Sequence, residues 1–196
     1  MKKDIILSGV GGQGILSIAT IIGWAALDQN LHLKQAETHG MSQRGGDVQS
    51  NLRLSTEPIY SDLIARGECD LIVSLEPMEA LRYLPWLSKK GYIITNTAPF
   101  LNIPNYPELD KVKAELEAVG RVIMLDVDAM AKAVKSPRSA NMVLLGAAAP
   151  VLEILQPDSL VQGISNVFAR KGEKIVATNI EAFNAGYAFA QEHLKH

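Results

Sequence analysis

The sequence is poor in cysteine, and Cys69 is the only one among its 196 residues. A single thiol excludes an intrachain disulfide framework, and it excludes an iron–sulfur cluster held by cysteines of this chain alone. Aromatic residues make up only 6% of the chain, and the formal net charge of −2 gives no positive footprint for nucleic acid. We therefore expect an ordinary globular chain without a nucleic-acid partner.

The sequence also lacks a long apolar segment. Met142 to Leu155 is the most apolar later stretch, but it contains Pro150 and Glu153. It falls short of the roughly 20 apolar residues that a membrane-spanning helix needs. The N-terminus has two lysines followed by a strand pattern rather than the longer apolar core of a signal peptide. We expect no membrane association and a cytoplasmic location.

Residues for metal binding or covalent catalysis are scarce. The chain has four histidines, none paired with another at ligand spacing, and no Gly-x-Ser-x-Gly nucleophile motif. The sequence thus predicts no metal site and no nucleophile. His39 differs from the other histidines because it opens an irregular polar loop, where binding residues are common; a loop histidine with only structural contacts is the alternative.

The most informative stretch is the first, KKDIILSGVGGQG, from Lys2 to Gly14. A short apolar strand breaks into glycines, and an apolar helix follows at Ile15, so free backbone N–H groups should face one point. The spacing Gly9-x-Gly11-x-x-Gly14 also fits the dinucleotide fingerprint. The candidate cofactor-binding residues here are Gly9, Gly11, Gly12, Gln13 and Gly14. The alternative is that these glycines only allow close packing of the helix on the strand.

A second glycine-bearing loop runs from His39 to Asp47, HGMSQRGGD. Arg44 stands directly before Gly45 and Gly46, and its planar guanidinium suits a carboxylate or phosphate. Paired glycines allow the backbone to lie close to such a group. The sequence therefore predicts supporting roles for Arg44 and His39 and a binding role for Gly45 and Gly46. A tight turn with a surface arginine paired to Asp47 or Glu37 is the alternative.

Apolar strands alternate with helical patterns along the rest of the chain. This order predicts a single α/β domain over residues 1–196, with three layers, a mostly parallel sheet, helices on both faces and a helical C-terminal third. Val48–Leu54 has a period of two, and Ile59-Tyr60 is a candidate hairpin partner for it. Ligands bind such sheets beyond the C-terminal strand ends, where Glu76, Asn96 and Asp126 also fall.

Together the two loops resemble the gamma-type subunit of 2-oxoacid:ferredoxin oxidoreductases. The paired motifs are GVGGQG at Gly9 and HGMSQRGGDV at His39, and the latter looks most like the beta subunit of indolepyruvate:ferredoxin oxidoreductase. Further similarity lies in LIVSLEPMEALRYL, NTAP, SANMVLLGA and EAFNAGYA, so the resemblance covers nearly the whole chain.

The resemblance implies a subunit that is inactive alone and works beside a larger thiamine-diphosphate and iron–sulfur subunit. The holoenzyme, of class EC 1.2.7, would oxidatively decarboxylate an arylpyruvate, form an acyl-CoA and pass electrons to ferredoxin. Thiamine diphosphate, magnesium, iron–sulfur clusters and coenzyme A would be held through the partner. The resemblance leaves open which 2-oxoacid is used, and whether the glycine loop touches coenzyme A, thiamine diphosphate or only protein.

Two other readings stay open. One is an independent NAD- or FAD-binding oxidoreductase of Rossmann type, with Glu37 at about the spacing of a ribose-binding acid, roughly 20 residues on. The other is a non-catalytic scaffold. A docking subunit should also expose apolar surface, and the alanine-rich C-terminal helix, with Ala182, Ala185, Ala188 and Ala190, is a candidate for a homodimer or hetero-oligomer contact.

Overall fold

The structure is a computed structural model that describes residues 1–40, 45–101 and 103–194. Its regular elements alternate between strands and helices before a run of helices closes the chain. The strands are β1 (Lys2–Val10), β2 (His32–His39), β3 (Asp47–Ser55), β4 (Cys69–Ser74), β5 (Leu87–Asn96) and β6 (Val122–Leu125). The helices are α1 (Ile15–Asp28), α2 (Pro77–Arg82), α3 (Leu109–Glu117), α4 (Val127–Ala133), α5 (Ala140–Leu152), α6 (Pro157–Phe168) and α7 (Glu173–His193).

Across the described residues the strands form one sheet in the order β2-β3-β1-β4-β5-β6. The pairs β1–β4, β4–β5 and β5–β6 are parallel, whereas β3 is antiparallel to both of its neighbours, β1 and β2. The expectation of a mostly parallel sheet is confirmed. The prediction that Ile59-Tyr60 forms a hairpin with β3 is wrong, because β1 and β2 already pair with the two edges of β3. The Tyr60 side chain is 95% exposed.

Alternating side chains of the central strands supply two separate cores. Ile5 and Leu7 of β1 belong to a cluster with apolar residues of α1, α5 and α6. Ile6 points to the opposite face and belongs to a second cluster, which includes Ala80 of α2 and Val112 of α3. Because successive strand side chains point to opposite faces, each apolar run buries both sides of the sheet. The three-layer α/β prediction is therefore confirmed.

The C-terminal third is helical, and α5 packs closely against α7. An added Cβ at Gly146 would lie 1.9 Å from the carbonyl oxygen of Phe183, and one at Gly186 would lie 1.9 Å from the oxygen of Val143. The two helices thus meet backbone to backbone at a pair of glycines, which only residues without a side chain allow. This crossing fixes α5, whose first turn reaches the glycine loop described below.

The alanine surface expected on α7 is largely absent. Ala182 and Ala190 are fully buried in the main core, and only Ala188 of the four alanines is exposed. The expectation was wrong for the two buried alanines because small side chains here serve the close approach of α5 rather than an external contact. No helix among the described residues is long and apolar enough to cross a membrane.

Candidate functional site

Strand register brings the two glycine loops to the same edge of the sheet. His39 of β2 lies opposite Val48 of β3, and Val48 lies opposite Gly9 of β1. The next pair in β1 and β3 is Val10 with Asp47. Residues roughly 30 positions apart in the chain therefore end side by side where β1 gives way to its glycine turn.

The glycine turn between β1 and α1 has the geometry that its sequence predicts. Gly12 has φ of +103° and Gly14 has φ of +87°, a region that side chains with a Cβ rarely adopt. Gly14 has a second requirement, since an added Cβ would lie 2.6 Å from Nδ2 of Asn141. The Asn141 amide donates a hydrogen bond of 3.2 Å to the Gly14 carbonyl, so the start of α5 holds the end of this turn in place.

The two glycine loops contact each other directly. The Gly11 N–H of the first loop donates to the Gly46 carbonyl oxygen of the second at 2.8 Å. Within the second loop, the Gly40 N–H donates to the Asp47 carbonyl oxygen at 2.9 Å. Gly45 has φ of +78°, so glycine is again the residue that this backbone favours. Arg44 lies outside the described residues, and its predicted role stays a prediction.

Gly9 and Gln13 support the loop from inside. The Val10 N–H donates to Oε1 of Gln13 at 2.7 Å, and Nε2 of Gln13 donates to the Leu75 carbonyl at 3.1 Å. A Cβ on Gly9 would lie 2.9 Å from that same Oε1. Gln13 therefore fastens the turn to the residue that follows β4, and Gly9 leaves room for the Gln13 amide. Neither residue lines the cavity in front of the turn. Their predicted part in cofactor binding stays a prediction.

A cavity of about 580 Å³ opens in front of the glycine turn. That volume is within the roughly 300–1,000 Å³ of small-molecule sites. Its lining combines the turn, the first turn of α1 and the facing ends of β2 and β3. The lining residues are Val10, Gly11, Gly12, Gly14, Ile15, Leu16, Ser17, His39, Gly40 and Val48.

The start of α1 gives this cavity its chemical character. The N-cap, Gly14, has no side chain to accept from the first turn, and within the described part of the chain the Ile15 and Leu16 N–H groups have no protein acceptor. Free N–H groups and the positive end of the helix dipole favour an anion. His39 is half-exposed at the rim, with Nε2 3.3 Å from Oε2 of Glu37. The arrangement can hold a negatively charged group by backbone contacts alone.

Only some of the residues predicted for the site line the cavity in front of the glycine turn. Gly11, Gly12, Gly14 and His39 line the cavity, whereas Gly45 and Gly46 are not among the lining residues. The binding role of the glycines and the supporting role of His39 stay predictions. Ser17, Gly40 and Val48 also line it and were not singled out from the sequence. Ser17 lies three residues after Gly14, a signal that helix periodicity could have supplied. Val48 reaches the site through cross-strand register, which the sequence alone does not give.

Glu76, which follows β4, has a structural role. Its carboxylate is 1% exposed and accepts from the Glu79 N–H at 2.8 Å, which caps α2. The Tyr106 hydroxyl donates to its other oxygen. Burial first, and then this hydrogen bond, raise the pKa of the Tyr106 hydroxyl, so it remains a donor at neutral pH. Glu76 therefore anchors a loop rather than facing a ligand.

The polar residues after β5 and β6 are likewise used internally. Oδ1 of Asn96 accepts from the N–H groups of Ala98 and Val127, and Oδ1 of Asp126 caps α4 through the Ala129 N–H at 2.8 Å. No cluster of three or more histidine, cysteine or acidic side chains that could hold a metal occurs within residues 1–40, 45–101 and 103–194. Cys69 is fully buried, and burial raises the pKa of its thiol to about 12.

Sequence comparison places this geometry among known proteins. The model of the family described as pyruvate ferredoxin/flavodoxin oxidoreductase matches residues 4–189. The indolepyruvate oxidoreductase subunit IorB of Thermococcus kodakarensis is 34% identical to the chain over 203 aligned positions. That alignment covers 99% of each protein.

Two solved structures have a similar fold. The gamma subunit of a keto/oxoacid ferredoxin oxidoreductase from Geobacter sulfurreducens matches with a TM-score of 0.69 and 24% identity, over 97% of this chain and 99% of that one. The 2-oxoglutarate:ferredoxin oxidoreductase from Magnetococcus marinus matches with a TM-score of 0.75 and 24% identity. The alignment covers 97% of this chain but only 31% of that longer chain.

Proposed function

The chain belongs to the pyruvate ferredoxin/flavodoxin oxidoreductase family, and from this membership we propose that it is the small subunit of an indolepyruvate- or arylpyruvate-oxidising enzyme. Its place as a small subunit of a 2-oxoacid:ferredoxin oxidoreductase follows from its full-length relatives. The aromatic substrate is proposed from the relative named for indolepyruvate. In the assembled enzyme the 2-oxoacid would be decarboxylated and oxidised to an acyl-CoA, with its electrons leaving to ferredoxin.

The donor groups of this chain do not fit the redox cofactors of such an enzyme. An iron–sulfur cluster needs several cysteine ligands, and the sequence contains one buried cysteine. No group of three or more histidine, cysteine or acidic side chains that could hold a metal by itself occurs among the described residues. We therefore assign thiamine diphosphate, magnesium and the clusters to a large partner subunit, in a hetero-oligomer that we expect in the cytoplasm.

In the proposed complex, this chain would contribute a preformed surface to an active site that it shares with the large subunit. The observation that carries this proposal is the 2.8 Å hydrogen bond from the Gly11 N–H to the Gly46 carbonyl oxygen, which joins the two glycine loops at one edge of the sheet. The loops leave Gly12, Gly14 and the start of α1 facing one cavity with free backbone donors. Such a surface holds an anionic group, excludes water from it and needs no titrating side chain. Coenzyme A, thiamine diphosphate and the substrate carboxylate all carry a group of this kind.

We predict that Arg44→Lys lowers turnover of the assembled enzyme about tenfold or more. Lysine keeps the charge but loses the bidentate fork, and a charge-assisted hydrogen bond contributes roughly 1.5–3 kcal/mol. Steady-state kinetics on the reconstituted complex measures the loss, and gel filtration checks that assembly survives. Arg170→Lys is the matched control, because Arg170 is exposed and does not line the cavity in front of the glycine turn. Unchanged kinetics for Arg44→Lys would make that arginine structural.

The alternative of an independent NAD- or FAD-binding enzyme has a structural argument against it. In the dinucleotide fold the ribose-binding acid ends the strand next to β1. Here the antiparallel strand β3 lies between β1 and β2, which moves Glu37 to the edge strand and away from the lining of the cavity.

We therefore predict that the isolated chain binds no NADH in a calorimetric titration, up to millimolar nucleotide. The Glu37→Gln variant should likewise show no NADH binding in this titration. Saturable binding with one NADH per chain that disappears in Glu37→Gln would favour the dinucleotide enzyme over the subunit.

A further inference from the structure

Asn141 joins the first turn of α5 to the glycine turn, although the two are far apart in the sequence. Its amide nitrogen Nδ2 donates to the Gly14 carbonyl oxygen at 3.2 Å. Because a carbonyl oxygen can only accept, the atom of the Asn141 amide that faces it must be the nitrogen. An added Cβ on Gly14 would lie 2.6 Å from this Nδ2 and 3.3 Å from Cγ. The Asn141 amide group therefore packs directly against the Gly14 backbone.

The Gly14 carbonyl also has a donor within α1. The Ser17 N–H donates to the same oxygen at 3.1 Å. One donor thus belongs to the helix that the glycine turn begins, and the other comes from α5, which packs on the same side of the sheet. A rotation of this carbonyl would cost both hydrogen bonds, so its direction is held from two helices.

The Gly14 carbonyl and the Ile15 N–H belong to the same peptide group. No peptide bond among the described residues is cis, so this carbonyl and this N–H point in opposite directions. With the carbonyl directed toward Asn141, the N–H is directed away from it, toward the cavity that Ile15 lines. Within the described part of the chain the Ile15 N–H has no protein acceptor. A contact with the carbonyl therefore sets the direction of a free donor.

The Gly14–Ile15 peptide needs a hold from outside its own helix. Gly14 is the N-cap of α1 at φ of +87°, and it has no side chain to fasten the first turn. Glycine has more backbone freedom than any other residue, and the terminal turns of helices fray. Asn141 can supply the hold because α5 is itself firmly placed, backbone against backbone with α7 at Gly146.

We propose that Asn141 is a positioning residue for the candidate site. It holds the Gly14–Ile15 peptide so that the Ile15 N–H points into the cavity in front of the glycine turn, where it donates to the anionic group of a bound reactant. Asn141 does not line this cavity and acts through the Gly14 backbone. The part of the proposal that concerns a reactant rests on the proposed function, whereas the hold on the peptide does not.

The hold on the peptide is tested by ¹⁵N relaxation of the full chain. Asn141→Asp keeps the size and shape of the side chain, but a carboxylate can only accept, and Asn141→Leu removes every polar atom. We expect the order parameter of the Ile15 amide to be about 0.85 in the wild type and to fall below about 0.6 in both variants. Asn184→Asp and Asn184→Leu are the matched controls, because Asn184 is exposed on α7 and does not line the cavity. Both controls should leave the Ile15 order parameter unchanged.

The effect on the reactant is tested by steady-state kinetics of the complex reconstituted with the large subunit. The half-saturating concentrations of the 2-oxoacid, coenzyme A and thiamine diphosphate are measured separately. We expect both Asn141 variants to raise one of the three by roughly fivefold or more, since one hydrogen bond to the reactant is lost. The turnover number at saturation should change by less than about twofold. A merely structural defect would instead lower the amount of active enzyme and leave all three concentrations unchanged.

Three results would overturn the proposal. They are a rigid Ile15 amide in both Asn141 variants, a lower turnover number with all three half-saturating concentrations unchanged, and equal effects in the Asn184 controls. If the wild-type complex is inactive with every 2-oxoacid, the proposed function fails, and the relaxation measurement still decides whether Asn141 holds the peptide. A carboxylate in the first turn of a helix is favourable, so we expect Asn141→Asp to fold, and thermal unfolding of each variant checks it.

Discussion

Gly146→Ala will destabilise the chain by about 3 kcal/mol, at the upper end of the cost of overpacking a core. The added methyl group would lie 1.9 Å from the carbonyl oxygen of Phe183 and close to the backbone nitrogen of Tyr187. Backbone atoms cannot turn away as a flexible side chain can, so α5 and α7 must separate. The midpoint temperature of thermal unfolding should therefore fall by roughly 10 °C for a chain of this size.

Gly23→Ala is the matched control for this substitution. Gly23 is also helical and fully covered, but its added Cβ would lie 3.5 Å from Cδ2 of Leu33, an ordinary contact. Alanine in a helix interior is favoured over glycine by roughly 0.5–1 kcal/mol, so this variant should be as stable as the wild type or slightly more stable. If Gly146→Ala unfolds at the wild-type temperature, α5 and α7 do not meet through these glycines.

The effect of Gly146→Ala should extend to the glycine turn. α5 begins next to Asn141, whose amide holds the Gly14 carbonyl. Moving α5 away from α7 therefore loosens one of the contacts that position the cavity. We expect the variant to lose more turnover in the assembled enzyme than its remaining folded fraction explains.

Much of the fold could be predicted from residue patterns. The apolar run Ile5–Leu7 and the glycines after it predict a buried strand, a turn and a helix, and these occur as β1, the turn and α1. The close crossing of α5 and α7 could not be predicted in this way. Gly146 and Gly186 are 40 positions apart, and nothing in the pattern around either glycine identifies the other as its partner.

The candidate site could be predicted only where its geometry depends on a local sequence pattern. Gly12 and Gly14 carry a local signal, because their positive φ belongs to the turn itself. The meeting of Gly11 with Gly46 depends on β3 being inserted between β1 and β2, which is a property of topology.

In the proposed function, the work of the enzyme is divided between two chains. This chain supplies a rigid surface with free backbone donors, and its single buried cysteine cannot hold a cluster. On the proposed function, a large partner subunit would supply thiamine diphosphate and the electron path. A chain without a redox centre should show no turnover by itself. The large subunit without this chain should have strongly reduced turnover.

The most direct measurement is 2-oxoacid-dependent reduction of ferredoxin or a viologen dye, made with this chain alone, with the large subunit alone and with both. Indolepyruvate, phenylpyruvate, pyruvate and 2-oxoglutarate are the substrates to compare. We predict no activity above background for the isolated chain, full activity only for the complex, and the highest kcat/KM with an arylpyruvate. Reduction of the dye by the isolated chain, or an unchanged rate when it is left out of the complex, would contradict the account.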